Sequence, residues 1–446
     1  MRALSIVLLF ATTFLYGQDW QPLFNGKDLK NWETHGGKAD FSVVDEMIVG
    51  TAVTNSPNSF LCTKETYSDF ILEFDILLPN DLNSGVQFRS NIKTEEDRVF
   101  GYQCEVDPTS RAWTAGIYDE GRRGWLNPLS RNPAGMDAFS LAKWNTIRIE
   151  CLGNDIRTYV NGVHCSWLID DMTSEGIFGL QVHSIDESKD GFQVKWKNIR
   201  ILTENVALYL NTPSPTVPQI SHLKNKLTAW EMDRGFRLLW DGETTEGWRG
   251  AKLDEFPESG WNIEDGVLTV AKTDGGESTG PGDIVTTKKY SNFEMELDFM
   301  FTKGANSGIK YFVDPALNKG AGSAIGCEFQ ILDDKVHPDA KKGVAGNRTI
   351  GSLYDLISKS EVPRWRLKGP GRWQKARIVS KDGKVEHWLN NEKVVEYDRY
   401  SQMFEALVNY SKYKDWENFG RWPEGVILLQ DHGDEVSFRS IKIREF

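Results

Sequence analysis

An all-β chain, folded as two tandem sandwiches or jelly rolls, is predicted by three observations. Short strand-like runs are separated by Gly, Asn and Asp turns. No long stretch keeps a helical period. The same set of runs then occurs a second time: Phe24-Asn25-Gly26…Trp32 matches Trp240-Asp241-Gly242…Trp248, Tyr67-Ser68-Asp69-Phe70 matches Tyr290-Ser291-Asn292-Phe293, and Asn83-Ser84-Gly85-Val86 matches Asn306-Ser307-Gly308-Ile309. Self-similarity over such a length means tandem domains rather than a solenoid. The matched residues drift apart along the chain, so the second copy carries longer loops.

The elements justify themselves in order. Residues 41–44 and 47–49 form a strand pair; its counterpart, 261–264 and 267–270, turns at Asp265-Gly266, a hairpin signal. Alternation is clear in 70–76 and 293–299. Strands at 147–151 and 376–379 each lead through a hairpin into a second strand. Each copy closes on a strand, 192–201 and 436–443, and 404–410 reads as a short helix. Asn211-Thr212-Pro213-Ser214-Pro215 marks an extended linker. The boundaries expected are 1–17, 18–203, 204–233 (linker, with a short helix over 219–233 packed on either domain) and 234–446.

Composition narrows the function. The 446 residues carry a net charge of -12 with no dense basic patch, which argues against nucleic acid as the main ligand. Residues 1–17, with Arg2 before an apolar run, read as a signal peptide cut near Gly17/Gln18, and no later run is long enough to span a membrane. An exported protein, periplasmic or secreted, is expected. Five cysteines exclude full internal pairing; Cys151 and Cys165 flank a hairpin and are either a disulfide or buried thiols. No metal-site spacing or cofactor motif is present.

One recurrent stretch organises the chain. Glu424-Gly425 leads into an apolar strand ending in Gln430 and His432; Glu175-Gly176 leads into one ending in Gln181 and His183. Residues two apart on a strand share a face, so each copy presents a Gln/His pair to a polar groove. The strand Cys327-Glu328-Phe329-Gln330 puts Glu328 and Gln330 on one face, and a bulge would add Asp333. Its counterpart is Gln103-Cys104-Glu105-Val106-Asp107. Acids in a cleft beside a His are what proton transfer needs. Lys310, His337, Arg348 and Tyr354-Asp355 cluster nearby in the second copy; Arg89, Arg111, Tyr118-Asp119 and Arg122-Arg123 do so in the first, with Arg89 set against Lys310. His387 has no counterpart and suits a structural or rim role.

With those motifs in hand, the chain resembles the 3-keto-disaccharide hydrolase domain family. The resemblance rests on Asn306 to Phe312, Gly326 to Asp333, Gly351-Ser352-Leu353-Tyr354-Asp355 and Gly425 to Gly433, and the first copy looks like a second member through Gly116 to Trp125. It implies the concanavalin A-like sandwich and a hydrolase acting on 3-keto-glycosides. Such a reaction can run by C2 deprotonation, elimination and hydration, with His432 or Glu328 as base, Lys310 and Arg348 near the developing oxyanion, and Asp333 and Tyr354 as acid or orienting groups. Gln330, Gln430, His337, Arg89, Glu105, Asp107, Tyr118 and His183 are the expected sugar contacts. Gln103 in the place of Glu328 predicts that catalysis sits mainly in the second copy. Two alternatives stay open: a lectin-like binding protein without catalysis, and a classical retaining glucanase.

Overall fold

The computed structural model describes residues 20–273, 276, 281–317, 322–361 and 367–446. The expected signal peptide lies outside them. Both halves are sandwiches of two antiparallel sheets, as the repeat requires. In the first half the larger sheet runs Asp40–Val44, Met47–Thr51, Gln193–Leu202, Phe70–Leu77, Asn145–Leu152, Asp155–Val160, Val163–Ile169. The smaller one runs Trp32–Gly36, Ser59–Thr63, Ile177–Val182, Ser84–Lys93, Arg98–Val106, Ile117–Glu120, Gly124–Asn127.

The second half repeats the plan. Its larger sheet centres on Phe293–Phe301 and Val436–Glu445; its smaller one runs Trp248–Gly250, Ile284–Thr286, Val426–Leu429, Asn306–Asp314, Ile325–Leu332. The hairpin at Asp265-Gly266 forms as expected, both residues taking positive φ (48° and 67°), the conformation a tight two-residue hairpin demands. The expected helix is Gln402–Asn409, capped by Ser401, whose side chain accepts from Phe404 N.

Alternation decides what each smaller sheet buries. Ile309, Tyr311, Phe329, Ile331, Ile427 and Leu429 pack into one core with Phe293, Phe299 and Phe438 of the facing sheet. Lys310, Glu328, Gln330 and Gln430 are left on the other face. The first half divides likewise, with Val86, Phe88, Cys104 and Leu180 inside.

All five cysteines are buried free thiols, so Cys151 and Cys165 do not pair. Burial pushes both thiols up to about 12. His387 is a core residue and not a rim one: Tyr311 Oη lies 2.7 Å from its Nε2, and Gly351 O lies 3.1 Å from its Nδ1. Burial pulls its pKa down to about 4, as it does for His164 and His222. A His held neutral in the fold but free to protonate when unfolded gives stability that is complete above pH about 6.5 and drains away as pH falls towards about 4. Urea unfolding at pH 7 and pH 4.5 should show that loss, on the order of 3 kcal/mol for each fully expressed shift. In His387→Gln the slope should be shallower; an unchanged slope would move the effect elsewhere.

The segment joining the halves binds both. Gln219–Ser221 adds a parallel strand to Val163–Ile169, and the helix Ala229–Asp233 carries a Thr228/Glu231 capping box. Asn225 bonds Gly266 O (2.8 Å) and Ser440 N (2.7 Å), and Glu231 pairs with Lys442 of the closing strand. The halves also touch directly, Ser130 Oγ donating to Asn391 O at 2.9 Å.

Candidate active site

In the second half, Lys310 and Glu328 are direct cross-strand partners and their charged ends lie 3.8 Å apart. Both are almost fully buried. Lys310 Nζ donates to Ser323 Oγ (2.5 Å), and Ser323 donates to Asp283 Oδ2 (2.5 Å). Asp283 also accepts from Asp431 N at 3.0 Å, so the row reaches the strand end that carries His432.

On the other side of Glu328, the Gln330 amide turned towards it donates to Oε1 at 3.2 Å and to Ser307 O at 3.1 Å. With Gln330 so turned, its oxygen lies 3.0 Å from the near end of the Asn306 amide, which turns with it to donate there and presents its oxygen to His432 Nε2 at 3.2 Å. A continuous polar row thus crosses the sheet: Asp283, Ser323, Lys310, Glu328, Gln330, Asn306, His432. It runs from a buried ion pair to a half-exposed imidazole. Networks of this kind fix each member's orientation.

Gly308 explains the Asn-Ser-Gly motif. A Cβ built there would lie 2.1 Å from Glu328 Oε1, and one at Gly85 would lie 2.6 Å from the Gln103 amide carbon. The glycine clears the slot in which the neighbouring strand's side chain lies. Gly308→Ala should therefore displace the Glu328 carboxylate while leaving the core intact, because Gly308 faces away from it. A drop in turnover of about tenfold or more, with an unchanged circular dichroism spectrum, is expected; unchanged turnover would separate Glu328 from the chemistry.

Tyr354 lies on the next edge, its backbone N–H donating to Glu328 O at 3.0 Å. Its hydroxyl donates to Asp339 Oδ2 (2.8 Å), and burial with that bond pushes its pKa far above the usual phenol. Arg348 spans Asp339 (3.1 Å) and Asp355 (2.7 Å) and lies against the Tyr354 ring. Its guanidinium is thus engaged in positioning Tyr354, which revises its expected place at an oxyanion. His337 accepts from Asp339 N through Nδ1 (3.2 Å) and starts the turn Pro338–Lys341.

Other expectations are corrected. Asp333 sits beyond the end of its strand, not in a bulge. Its two carboxylate oxygens accept from Gly304 N (2.9 Å) and Lys335 N (3.2 Å), so it ties two loops together. Arg89 is not the counterpart of Lys310: counting from the shared Asn-Ser-Gly gives Gln87. The ladder agrees, since Gln87 pairs with Gln103 as Lys310 pairs with Glu328. A left-handed residue (φ 44°) turns Arg89 away from the groove, to Ser68 O, Gly153 O and Asp69. Asp107 likewise organises its own loop, accepting from Thr109, Trp113 N and Arg111 Nε.

The first-half groove keeps Gln103, Glu105, Tyr118, Gln181 and His183 together. Glu105 accepts from Asn83 (2.8 Å), Gln103 (2.9 Å) and Arg111 (3.3 Å). Burial raises its carboxyl pKa against the pull of those donors. Tyr118 matches Tyr354 in register, and His183 Nδ1 is 2.6 Å from Ser184 O. Sequence reasoning missed Gln87, Asp283, Ser323 and Asp339. Only Gln87 carried a signal, its fixed distance from the motif; the others join the row through the fold.

Comparison with known proteins places this arrangement. The 3-keto-alpha-glucoside-1,2-lyase-like domain model matches residues 19–202 and 235–444. A 3-keto-disaccharide hydrolase of Bacteroides thetaiotaomicron is 36% identical over 257 residues, covering 50% of this chain and 86% of that protein. A solved structure from Parabacteroides distasonis, assigned as a glycosyl hydrolase, is 30% identical, covers 50% of this chain and 100% of its own, and has a TM-score of 0.44. A Bacillus subtilis carbohydrate-binding module is 19% identical over 39% of this chain and 95% of its own, with a TM-score of 0.29. The chain therefore belongs to the 3-keto-alpha-glucoside-1,2-lyase-like domain family, of which it carries two tandem copies.

Proposed function

We propose that the protein is a glycoside-cleaving hydrolase acting on 3-keto-glycosides, with its catalytic centre in the second domain, and that it is exported. The observation that carries this is the buried Lys310–Glu328 pair joined through Gln330 and Asn306 to His432. Family membership and the relative's named activity support the substrate class.

The chemistry follows from the ketone. A carbonyl at C3 acidifies the C2–H bond. Glu328 takes that proton, the electrons move to the C3 oxygen, and the enolate expels the C1 substituent. His432, at the wetter end of the row, protonates the leaving oxygen. Water then adds its hydroxyl to C1 of the resulting enone, and a proton returns to C2. The net change is hydrolysis, with Lys310 balancing charge beside the base. Tyr354, held by Asp339 and Arg348, orients the sugar, with Gln330 and Gln430 as further contacts. An unoxidised glycoside lacks the acidified C2 proton, so this route excludes it. The paired carboxylates of a retaining glycosidase are not required.

Purified protein incubated with a 3-keto-disaccharide and with its unoxidised parent tests the reading. Release of monosaccharide from the keto form alone is expected. Equal cleavage of both would favour a classical glycosidase, and binding without cleavage of either a lectin-like role.

A further inference from the structure

We propose that the first domain's groove is a separate, non-catalytic saccharide site, which takes an uncharged sugar through a pair of neighbouring hydroxyls. The groove holds about 350 Å³ between Asn83, Gln103, Glu105, Tyr118, Trp125 and Gln181. Gln181 is fully buried, and neither its Nε2 nor its Oε1 has a hydrogen-bond partner among the described residues. A buried amide left so carries an unrecovered desolvation cost, which a ligand can return. Its NH₂ and C=O lie side by side. Two adjacent hydroxyls, each able to donate and accept, match that pair.

The rest of the groove suits the same guest. Trp125 forms an aromatic wall, edge-on to Tyr118 with ring centroids 5.3 Å apart, against which the C–H face of a sugar ring can pack. Asn83, Gln103 and Arg111 hold Glu105 in place as an acceptor for a further hydroxyl.

On the function proposed above, on which this inference rests, the catalytic pair of the second domain is absent here. Where the second domain has Lys310 and Glu328, the first has Gln87 and Gln103, whose amides bond each other at 2.6 Å. A neutral amide neither takes a proton at neutral pH nor steadies an oxyanion as an ammonium does. The carboxylates Glu105 and Glu120 border the groove and disfavour an anionic sugar, while Arg111 is occupied by Glu105 and Asp107.

The test uses the full chain and reads binding rather than turnover. Maltose, trehalose and cellobiose are titrated to near saturation against intrinsic tryptophan fluorescence. At least one should give a saturable change. Gln181→Leu, an apolar side chain of similar size, should weaken that binding by about tenfold or more, whereas Glu328→Gln in the second domain should leave it unchanged. Turnover of the 3-keto substrate by Gln181→Leu should stay at the wild-type level, and an unchanged near-ultraviolet circular dichroism spectrum and thermal transition show that the first domain is folded. No saturable change with any sugar, or equal affinity in folded Gln181→Leu, would overturn the proposal. So would loss of turnover in Glu105→Gln, because the groove would then be catalytic.

Discussion

Glu328→Gln is expected to lower turnover by about a hundredfold or more, the usual scale for loss of a general base, without unfolding the protein. The fold should survive for two reasons. Glu328 lies on the face turned away from the core, beside the slot that Gly308 leaves open. The first domain already carries an amide, Gln103, at the same register position. Lys310 keeps its bonds to Ser323 Oγ and Ala324 O when the carboxylate is neutralised. Steady-state kinetics on the 3-keto substrate, with thermal unfolding as control, measures both parts. Loss of activity from a folded variant supports the assignment. Full activity would transfer the base to His432, and His432→Ala distinguishes that case.

The largest stability effect is expected at Lys442. Its ammonium is buried between Glu231, from the segment joining the domains, and Glu296, 3.2 Å away. Burial alone would lower the lysine, but the two carboxylates outweigh it and hold it above its usual range. Burial would likewise raise Glu296, but Lys442 and its neighbours hold it well below the usual carboxylate range. Lys442→Met takes the buried cation from Glu231 and leaves Glu296 with Arg377, 3.6 Å away, and a loss of roughly 3–5 kcal/mol is expected at pH 7. The sign with pH is defined. In the wild type the Glu296 contribution is present above pH about 4.5 and is lost as pH falls through the lower folded value. The gap between variant and wild type should therefore narrow in acid. A loss below about 1 kcal/mol at pH 7 would mean that water screens the pair as it does at a surface. A fragment beginning at residue 234 omits Glu231 and should be less stable than one beginning at 219.

Most of the fold was legible because its signals are local. Alternation placed Glu328 opposite Phe329 in direction, Asp265-Gly266 placed a hairpin, and repetition doubled every such inference. The Gln/His strand ends and the Tyr354 and Tyr118 pairs were legible for the same reason. What was not legible depended on backbone bends and long connections. Arg89 was set against Lys310 because both follow Asn-Ser-Gly, yet one left-handed residue turns it to the other side of the sheet. Asp333 reads as a groove acid until its two oxygens are seen to accept from Gly304 and Lys335. Asp283 and Ser323 complete the row around Lys310 from separate loops, and nothing in their immediate sequence marks them. His387 reads as a structural or rim residue, and a strand pattern does not choose between the two because it does not say that Tyr311 reaches it across the core.

Solvent labelling tests the central claim most directly. The wild-type protein is run on a 3-keto-disaccharide in deuterium oxide, and the released keto sugar is examined by nuclear magnetic resonance, with incubated product as the control for spontaneous exchange. Removal of the C2 proton followed by hydration of the enone places deuterium at C2 in step with turnover, and Glu328→Gln should abolish both together. Cleavage by the wild type with the C2 proton retained would contradict the account.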